Sequence, residues 1–586
     1  ATALFDSTAV ARSPRDVSIV GGQWTWASGS EHVAGWESFG AYGAKGVAAP
    51  GNFPGARESS VSWKDPDGNL WLFGGWGISA WVPIFGGGDL NDLWKWDGTS
   101  WTWVSGSNGY DQSGIYGTKG IAAPGNVPGA RSQSVSWTDA SGSLWLFGGY
   151  GEASGGASGY LNDLWKWDGS SWTWVSGSSL ADQVGTYGMK GVPAPENVPG
   201  ARYGSVSWTD ASGNFWLFGG LGFAATSTQV LLNDLWKWDG TAWTWVSGSS
   251  SSGQSGVYGT KGVAAPGNVP GARYESASWT DASGSFWLFG GRGFAASTAG
   301  DLNDLWKWDG TTWTWMSGST WPDQSGSYGT KGVADLGNAP GARTKSMPWV
   351  DASGNLWLFG GYSMGVSDDG YFSDLWRWDG TSWTWMSGPR VANEPGTYET
   401  KGVPSAESLP GARRGAISWS DASGNLWLLG GLGLAARWDE GCSNDIWRWD
   451  GTNWAWMGGP NPASRYGVYG TKGVAAPGNV PGARQMSVSW KGASGDLWLF
   501  GGKGYATDGL SWLNDLWKWN GTSWTWMSGS DVISQPATYG TKGVAASANV
   551  PGARAGSVSW TDASGNLWLF GGEGVDFSDD GLLNDL

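Results

Sequence analysis

The sequence predicts an all-β fold, an eight-bladed β-propeller made of four-stranded antiparallel blades. A segment of about 70 residues recurs along the chain, and the arginine of its PGAR element marks each copy. These arginines follow one another at intervals of 70 to 74 residues: Arg57, Arg131, Arg202, Arg273, Arg343, Arg413, Arg484 and Arg554. A fixed period of this length is the signature of a repeat architecture.

Each copy contains four short runs that read as β-strands. In the second copy they are RSQSVSW, LWLFGG, DLWKWD and SWTWVS, in which apolar or aromatic residues alternate with polar ones. TDASGS and WDGSS separate them and have the Asp, Ser and Gly content of tight hairpin turns. Four antiparallel strands repeated at regular spacing are typical of propeller blades.

LWLFGG followed by NDLWKWDGTSWTW resembles the kelch repeat, in which a hydrophobic strand ends in Gly-Gly and an aromatic residue and a Trp follow. In the first copy these positions are Gly74, Gly75, Trp96 and Trp101. The pattern departs from the family in having Trp where Tyr is usual and a shorter spacing to the last Trp. The chain is also similar in style to secreted bacterial galactose-oxidase-like kelch proteins. The resemblance implies a propeller.

The two ends of the sequence predict how the ring closes. GGQWTWASGS, residues 21–30, reads as a fourth strand that has no partners before it. The last copy stops at Leu586, inside its third strand. We therefore expect residues 21–30 to complete the last blade and cover its open edge. This divides the chain into a leader segment, 1–20, and a single propeller domain, 21–586.

The excess negative charge lies outside the repeated positions. The formal net charge is −16, with 34 Lys and Arg against 50 Asp and Glu. The repeated positions are close to neutral, so the variable segments are acidic. An acidic surface argues against a nucleic-acid partner and suits cationic partners or weak calcium binding. There is no apolar run long enough for a membrane span.

Most of the 52 tryptophans fall on strand positions of the repeat and are predicted to form the core. The PGAR arginines are interpreted as structural, pairing with an Asp or capping a carbonyl between blades, rather than as ligand-binding residues.

Six tryptophans lie outside the repeated pattern: Trp36, Trp76, Trp81, Trp321, Trp438 and Trp512. All six fall in the connections between strands 2 and 3 or between strand 4 and the next strand 1. In an antiparallel blade these connections share one face, which we call the loop face. Tyr150, Tyr362, Tyr371 and Phe372 fall there as well. Aromatic residues outside the core favour recognition, although long loops also need small aromatic anchors of their own.

The inventory of reactive residues narrows the possible chemistry. With one histidine (His32) and one cysteine (Cys442), the sequence lacks the two histidines and crosslinked Tyr–Cys pair of a copper radical oxidase. Ser-His-Asp catalysis and His-rich zinc sites are disfavoured for the same reason. No cofactor is predicted apart from possible calcium, with weak candidate ligands at Asp368, Asp369, Asp579 and Asp580.

The sequence favours a non-enzymatic recognition module of an extracellular or cell-surface bacterial protein, which binds a protein or glycan on the loop face. The start at Ala1 fits removal of a secretory signal. The alternative is a self-assembling subunit of a surface layer, sheath or filament. An enzyme that acts on glycans with carboxylates alone is a third hypothesis.

Overall fold

The computed structural model is built from β-strands that form four-stranded antiparallel sheets, and the described residues contain no helix. It describes residues 2–5, 22–30, 39–80, 87–351, 353–365, 369–421, 423–435, 440–459, 465–492, 495–562, 564–575 and 580–586. The predicted all-β propeller fold is confirmed. Each four-stranded sheet is called a blade below, numbered by the copy of the repeat that forms it.

In the first seven blades the four strands are hydrogen-bonded in the order of the sequence, whereas in the last blade two strands from the end of the chain are followed by two from its start. The first strands are Val61–Lys64, Val135–Thr138, Val206–Thr209, Ala277–Thr280, Met347–Val350, Ile417–Ser420, Val488–Lys491 and Val558–Thr561. The second strands are Leu70–Phe73, Leu144–Glu152, Phe215–Gly222, Phe286–Phe294, Leu356–Ser363, Leu426–Leu429, Leu497–Tyr505 and Leu567–Phe570. The third strands are Leu93–Trp96, Ser158–Trp167, Val230–Trp238, Ala299–Trp308, Gly370–Trp378, Ile446–Trp449, Leu510–Trp519 and, in the last blade, Thr2–Phe5. The fourth strands are Trp101–Ser105, Trp172–Ser176, Trp243–Ser247, Trp313–Ser317, Trp383–Ser387, Trp454–Gly458, Trp524–Ser528 and Gly22–Thr25.

Short strands extend the blades towards the loop face. Most begin at the PGAR arginine: Arg57–Glu58, Arg131–Ser132, Arg202–Tyr203, Arg273–Tyr274, Arg413–Arg414, Arg484–Gln485 and Arg554–Ala555. Where the second and third strands are interrupted, their outer parts are separate strands: Trp76–Gly77, Gly88–Asp89, Leu432–Leu434, Glu440–Cys442, Glu573–Val575 and Asp580–Leu582. Two further strands, Ala334–Asp335 and Ala475–Ala476, pair with the outer edge of a blade. The arginine strand pairs with the residues that follow Gly-Gly, as Arg131 does with Gly151.

The hydrophobic core lies between neighbouring blades. Phe73 of the first blade packs on Trp172 of the second, with ring centroids 5.4 Å apart, and both are almost fully buried. The last blade contacts the first in the same way, since Trp96 lies 5.5 Å from Trp568 and Trp101 lies 5.7 Å from Phe570. The blades therefore form a closed ring.

Both termini contribute to the last blade. Thr2–Phe5 lies between Gly22–Thr25 and Leu567–Phe570 and pairs antiparallel with each. The first residues, assigned from sequence to a leader, thus include a strand of this blade. Trp24 lies in the fourth strand, as the Trp pair of the repeat predicts, and its carbonyl accepts a hydrogen bond from Asn549 Nδ2 at 2.9 Å.

The connection that follows each fourth strand covers the outer edge of the next blade. Gly120 N donates to the Trp174 carbonyl at 2.8 Å, and Lys119 Nζ donates to the Gly177 carbonyl at 2.7 Å. The same lysine lies 4.3 Å from the Trp174 ring centroid. Because these bonds occupy edge groups that would otherwise be open, the connection protects the blade from pairing with another chain.

A buried ion pair links the PGAR arginine to the Asp of NDL in every repeat. The N–O distances are 2.5 to 2.6 Å in the pairs Arg57–Asp92, Arg131–Asp163, Arg202–Asp234, Arg273–Asp304, Arg343–Asp374, Arg413–Asp445, Arg484–Asp515 and Arg554–Asp585. A tyrosine hydroxyl also donates to the carboxylate, and in the first seven repeats an indole N–H does as well; in the second blade these donors are Tyr116 and Trp165, each at 2.7 Å. Each arginine therefore pairs with the Asp of its own repeat.

Two framework glycines make close contact between blades possible. Gly74 and Gly75 have φ values of 62° and 93°, in the left-handed region. Gly75 N donates to the Arg131 carbonyl of the next blade at 2.9 Å. A Cβ on Gly74 would lie only 2.7 Å from that carbonyl oxygen. The Gly-Gly pair is therefore required both by the backbone conformation and by the approach of the neighbouring blade.

Asp163→Ala should lower the free energy of unfolding by about 3–5 kcal/mol, because it leaves the buried Arg131 without its counter-ion. Urea denaturation followed by tryptophan fluorescence measures the change. Asp168→Ala is the control in the same repeat: it removes only exposed turn hydrogen bonds to Ser170 and Ser171 and should cost about 1 kcal/mol. Equal losses in the two variants would contradict the importance of the ion pair.

Trp24→Ala should lower the free energy of unfolding by about 3–5 kcal/mol, because Trp24 is 2% exposed and packs on Phe500 at 5.2 Å. Gln23→Ala, on the adjacent and half-buried position of the same strand, should change it little. The melting temperatures of the two variants give the comparison. An unchanged melting temperature for Trp24→Ala would mean that the N-terminal strand does not hold the last blade.

Candidate functional site

Each blade presents a row of three neighbouring residues on the loop face, just beyond Gly-Gly. One residue follows the PGAR arginine, the second follows Gly-Gly, and the third lies on the third strand. In the first blade Trp76 pairs with Glu58 on one side and with Asp89 on the other. The residues next to the row, such as the arginine and the glycines, are constant between repeats, whereas the row itself differs in every blade.

Five of the predicted aromatic residues occupy these rows. They are Trp76 in the first blade, Tyr150 in the second, Tyr362 and Tyr371 in the fifth and Trp512 in the seventh. Tyr150 pairs with Tyr160. The rows are thus the common location of aromatic residues that look scattered in the sequence.

The predicted residues differ in how much they are exposed. Trp76 is 44% exposed and Trp321 is 58% exposed. Trp512 is half-buried, with Lys503 Nζ 5.6 Å from its ring centroid. Trp321 lies in the connection after a fourth strand, where the Thr320 carbonyl accepts a hydrogen bond from Ala296 N in the connection between the second and third strands. Trp321 therefore lies on the loop face, away from the row of its blade.

Tyr371 and Phe372 are buried, which corrects their assignment to an exposed aromatic face. Tyr371 is 6% exposed, and its hydroxyl donates to Glu440 of the next blade at 2.5 Å. Burial raises the pKa of Tyr371, and the hydrogen bond to Glu440 raises it further. Tyr362 is half-buried, with the Arg414 guanidinium 4.8 Å from its ring centroid. The neighbouring blade supplies the charged partners, so these rings join two blades.

Some of the predicted residues lie outside the described residues: Trp36, Trp81, Trp438, Asp368, Asp579 and His32. Asp369 is exposed, and Asp580 lies on the strand Asp580–Leu582. Across the part of the chain that the structure describes, no three His, Cys, Asp or Glu residues come together in a way that could hold a metal ion.

The exposed Trp76 lines an open cavity of about 340 Å³ between the first and last blades. Glu58 of the first blade and Glu573 of the last blade line the same cavity, with Ile78 and Leu582 as apolar neighbours. Both carboxylates belong to exposed residues. We call this cavity the Trp76 pocket. It combines one aromatic platform with two hydrogen-bond acceptors that carry negative charge.

Sequence reasoning did not identify Glu58 or Glu573 as site residues. The sequence does mark the position of Glu58 as variable, because the residue after PGAR differs in nearly every copy: Glu58, Ser132, Tyr203, Tyr274, Thr344, Arg414, Gln485 and Ala555. What the sequence did not reveal is that the last blade lies beside the first and brings Glu573 to Trp76.

A second group of aromatic rings joins the second and third blades. Tyr160 stacks on Tyr203 with ring centroids 5.3 Å apart and an interplanar angle of 7°, and Tyr150 meets Tyr160 edge-on at 5.5 Å. Tyr160 and Tyr203 are half-buried in this packing, whereas Tyr150 is 42% exposed, close to the 44% of Trp76.

No protein-family model and no curated protein matches this chain. Among solved structures it is similar to YjhT, with 14% identity and a TM-score of 0.33 over 69% of this chain and 98% of that one. It is also similar to a fungal alcohol oxidase of the AA5 family in complex with copper, with 14% identity and a TM-score of 0.35 over 92% of this chain and 93% of the oxidase. None of the described residues forms a helix with the length and hydropathy of a membrane span.

Asp89, in the row beside Trp76, is an acid held in an unfavourable environment. It is 9% exposed, and its pKa is raised to about 6. Burial is the largest cause; the neighbouring Asp111 and Glu152 carboxylates add to it, while a hydrogen bond from Ser132 and the charge of Arg131 oppose it. The folded chain therefore binds a proton at Asp89 more tightly than the unfolded chain does.

The free energy of unfolding of the Asp89→Asn variant should increase relative to that of the wild type as the pH rises from 4 to 7. The protonated Asp89 favours the folded state at low pH, and this contribution, at most about 3 kcal/mol, is lost as the pH passes about 6. Urea denaturation of both proteins at pH 4.5 and pH 7.5 measures the difference. A difference in stability that is the same at both pH values would show that Asp89 titrates normally.

Proposed function

We propose that this chain is a kelch-type propeller that binds a carbohydrate in the Trp76 pocket, outside the cell or at its surface, without catalysis. The observation that carries the proposal is the presence of Trp76, Glu58 and Glu573 in one open cavity of about 340 Å³. A cavity with an aromatic wall and a few polar groups is typical of small-ligand sites. The indole face offers apolar area to a sugar ring, and the carboxylates accept hydrogen bonds from its hydroxyls.

The charge of the pocket selects among carbohydrates. Glu58 and Glu573 place two negative charges at its rim, and the chain carries a formal net charge of −16. Because like charges repel, uronic acids and sulfated sugars are disfavoured. Neutral sugars and amino sugars fit the pocket better.

The repeated framework supports the kelch assignment, through the left-handed Gly74 and Gly75 at the end of a hydrophobic strand and the buried Trp96 and Trp101 that follow. The extracellular assignment and the absence of catalysis rest on the sequence alone. The chain has one histidine and one cysteine, so the residue types of common nucleophilic and copper radical sites are missing.

Glycoside hydrolysis is the second candidate, because the two carboxylates come from different blades and line the same cavity. Hydrolases of this kind use a pair of Asp or Glu residues on either side of the scissile bond. Hydrolysis that Glu573→Gln abolishes, with binding retained, would favour this candidate over simple recognition.

Trp76→Ala should weaken the binding of a neutral or amino-sugar oligosaccharide by at least about tenfold, because the pocket loses its aromatic wall. The ligand is first selected on an array of neutral, amino-sugar and uronic-acid oligosaccharides, and its affinity is then measured by calorimetry. Glu58→Gln and Glu573→Gln should weaken it as well, since a charged acceptor makes a stronger hydrogen bond.

Trp321→Ala is the matched control, because Trp321 is a tryptophan of the loop face that is even more exposed than Trp76 and lies outside the pocket. Equal effects of Trp76→Ala and Trp321→Ala would show that the Trp76 pocket is not the binding site. Light scattering of the same samples tests the subunit hypothesis: concentration-dependent assembly that Trp76→Ala disrupts, with no sugar bound, would replace recognition by self-association.

A further inference from the structure

The sixth repeat departs from the others at three framework positions, and each change removes volume. Leu429 stands where the other copies have Phe, and Ala416 stands where they have Ser. Ser443 stands where they have Leu or, in the fifth copy, Phe. The leucines equivalent to Ser443, such as Leu90 and Leu302, are at most 2% exposed. The sixth repeat therefore has smaller side chains at three positions, and at the position of Ser443 the larger side chains of the other repeats are tightly packed.

The missing volume appears as a cavity of about 250 Å³ between the sixth and seventh blades. Residues from both blades line it, among them Gly415, Leu429, Ser443, Pro481, Met486 and Leu499. Gly415 and Met486 are exposed, so the cavity opens on the loop face beside them. We call it the Ser443 cavity.

The backbone is also farther apart at this junction. A Cβ on the first glycine of Gly-Gly would lie 2.6 to 3.4 Å from the arginine carbonyl oxygen of the next blade at the other junctions. At Gly430 the distance to the Arg484 carbonyl is 3.9 Å. The two blades are thus less tightly joined where the side chains are smaller.

Two buried polar atoms at this cavity have no hydrogen-bond partner among the described residues. They are Ser443 Oγ and Asn444 Oδ1, on residues that are 1% and 3% exposed and that both line the cavity. In other repeats the equivalent amide oxygen accepts a backbone N–H, as Asn91 does from Ser107 at 2.9 Å. The corresponding residue of the sixth repeat is Pro460, which has no N–H. Unpaired buried polar groups are costly, so a ligand that pairs with them gains affinity.

The cavity favours a neutral ligand. Arg484 is the one charged residue among those that line it, and its guanidinium is already paired with Asp515 at 2.5 Å. Ile417, Leu429 and Leu499 supply apolar walls. An apolar cavity of about 150 Å³ holds benzene, so this one has room for an aromatic ring with a substituent.

We propose that the Ser443 cavity binds a neutral molecule the size of one substituted aromatic ring that carries a hydroxyl group. The ring packs against the apolar walls, and the hydroxyl forms a hydrogen bond with Ser443 Oγ. The flexible side chain of Met486 lies at the opening, where it can adjust to the ligand. This site lies between different blades from the Trp76 pocket, and the proposal does not depend on sugar binding.

The test is a titration of the whole chain with 4-fluorophenol, followed by fluorine NMR. We expect saturable binding with a dissociation constant near or below about 1 mM, which is within reach of a ligand of this size. Ser443→Leu restores the residue of the other repeats and fills the cavity, so it should abolish binding and raise the melting temperature. Ser443→Ala keeps the volume and should weaken 4-fluorophenol about fivefold while leaving fluorobenzene unchanged.

Trp76→Ala serves as the control and should bind 4-fluorophenol like the wild type, which separates this cavity from the Trp76 pocket. Absence of saturable binding to the wild type would overturn the proposal. Equal binding to the wild type and to a folded Ser443→Leu variant would overturn it as well, because the ligand would then occupy another site.

Discussion

In the first seven repeats the Asp of the NDL element accepts hydrogen bonds from three side chains, an arginine, a tyrosine and a tryptophan, and in the last repeat from the arginine and the tyrosine. In the first blade Asp92 accepts hydrogen bonds from Arg57 Nη1 and Nη2, each at 2.6 Å, from the Tyr42 hydroxyl at 2.6 Å and from Trp94 Nε1 at 2.7 Å. Arg57 in turn donates to the carbonyls of Gly55 and Gly74 at 2.9 and 3.0 Å. Burial and the neighbouring carboxylate both raise the pKa of Tyr42 well above its ordinary value, so the tyrosine stays a donor. Burial alone would lower the pKa of Arg57, but Asp92 outweighs it.

This ion pair determines the geometry of the whole ring. It fixes the third strand, through the Asp, to the carbonyl of Gly74 at the end of the second strand and to the connection that carries Tyr42. The same Gly-Gly turn also contacts the next blade, because Gly75 N donates a hydrogen bond to the Arg131 carbonyl. A charge that is buried and fully hydrogen-bonded has few alternative arrangements, so every repeat adopts the same one. The tryptophan core then fills a space of constant shape.

A constant framework leaves the rows on the loop face free to vary. Trp76 and Glu58 lie one residue beyond Gly75 and Arg57, yet neither takes part in the ion pair. Their identity can therefore change between blades without disturbing the core, and neighbouring blades combine into different sites. The first and last blades form an acidic aromatic pocket, whereas the fifth and sixth bring Tyr371 and Glu440 together in a hydrogen bond between the blades. The sixth repeat shows the complementary case: its ion pair is intact, and Leu429 and Ser443 reduce only the packing around it.

The sequence by itself determined the repeat, the order of the strands within one repeat and the class of fold, because these depend on local alternation, turn residues and a fixed period. It did not show that Thr2–Phe5 belongs to the last blade. It also indicated Trp76 and Trp512 as residues outside the core. Only the tertiary structure decided that Tyr371 is buried and that Glu573 lines a cavity with Trp76. It also revealed the cavity at Ser443. These outcomes depend on which blades are neighbours and how closely they approach, and such contacts join residues far apart in the chain. A pattern within one repeat carries no information about the side chains that the neighbouring blade places against it.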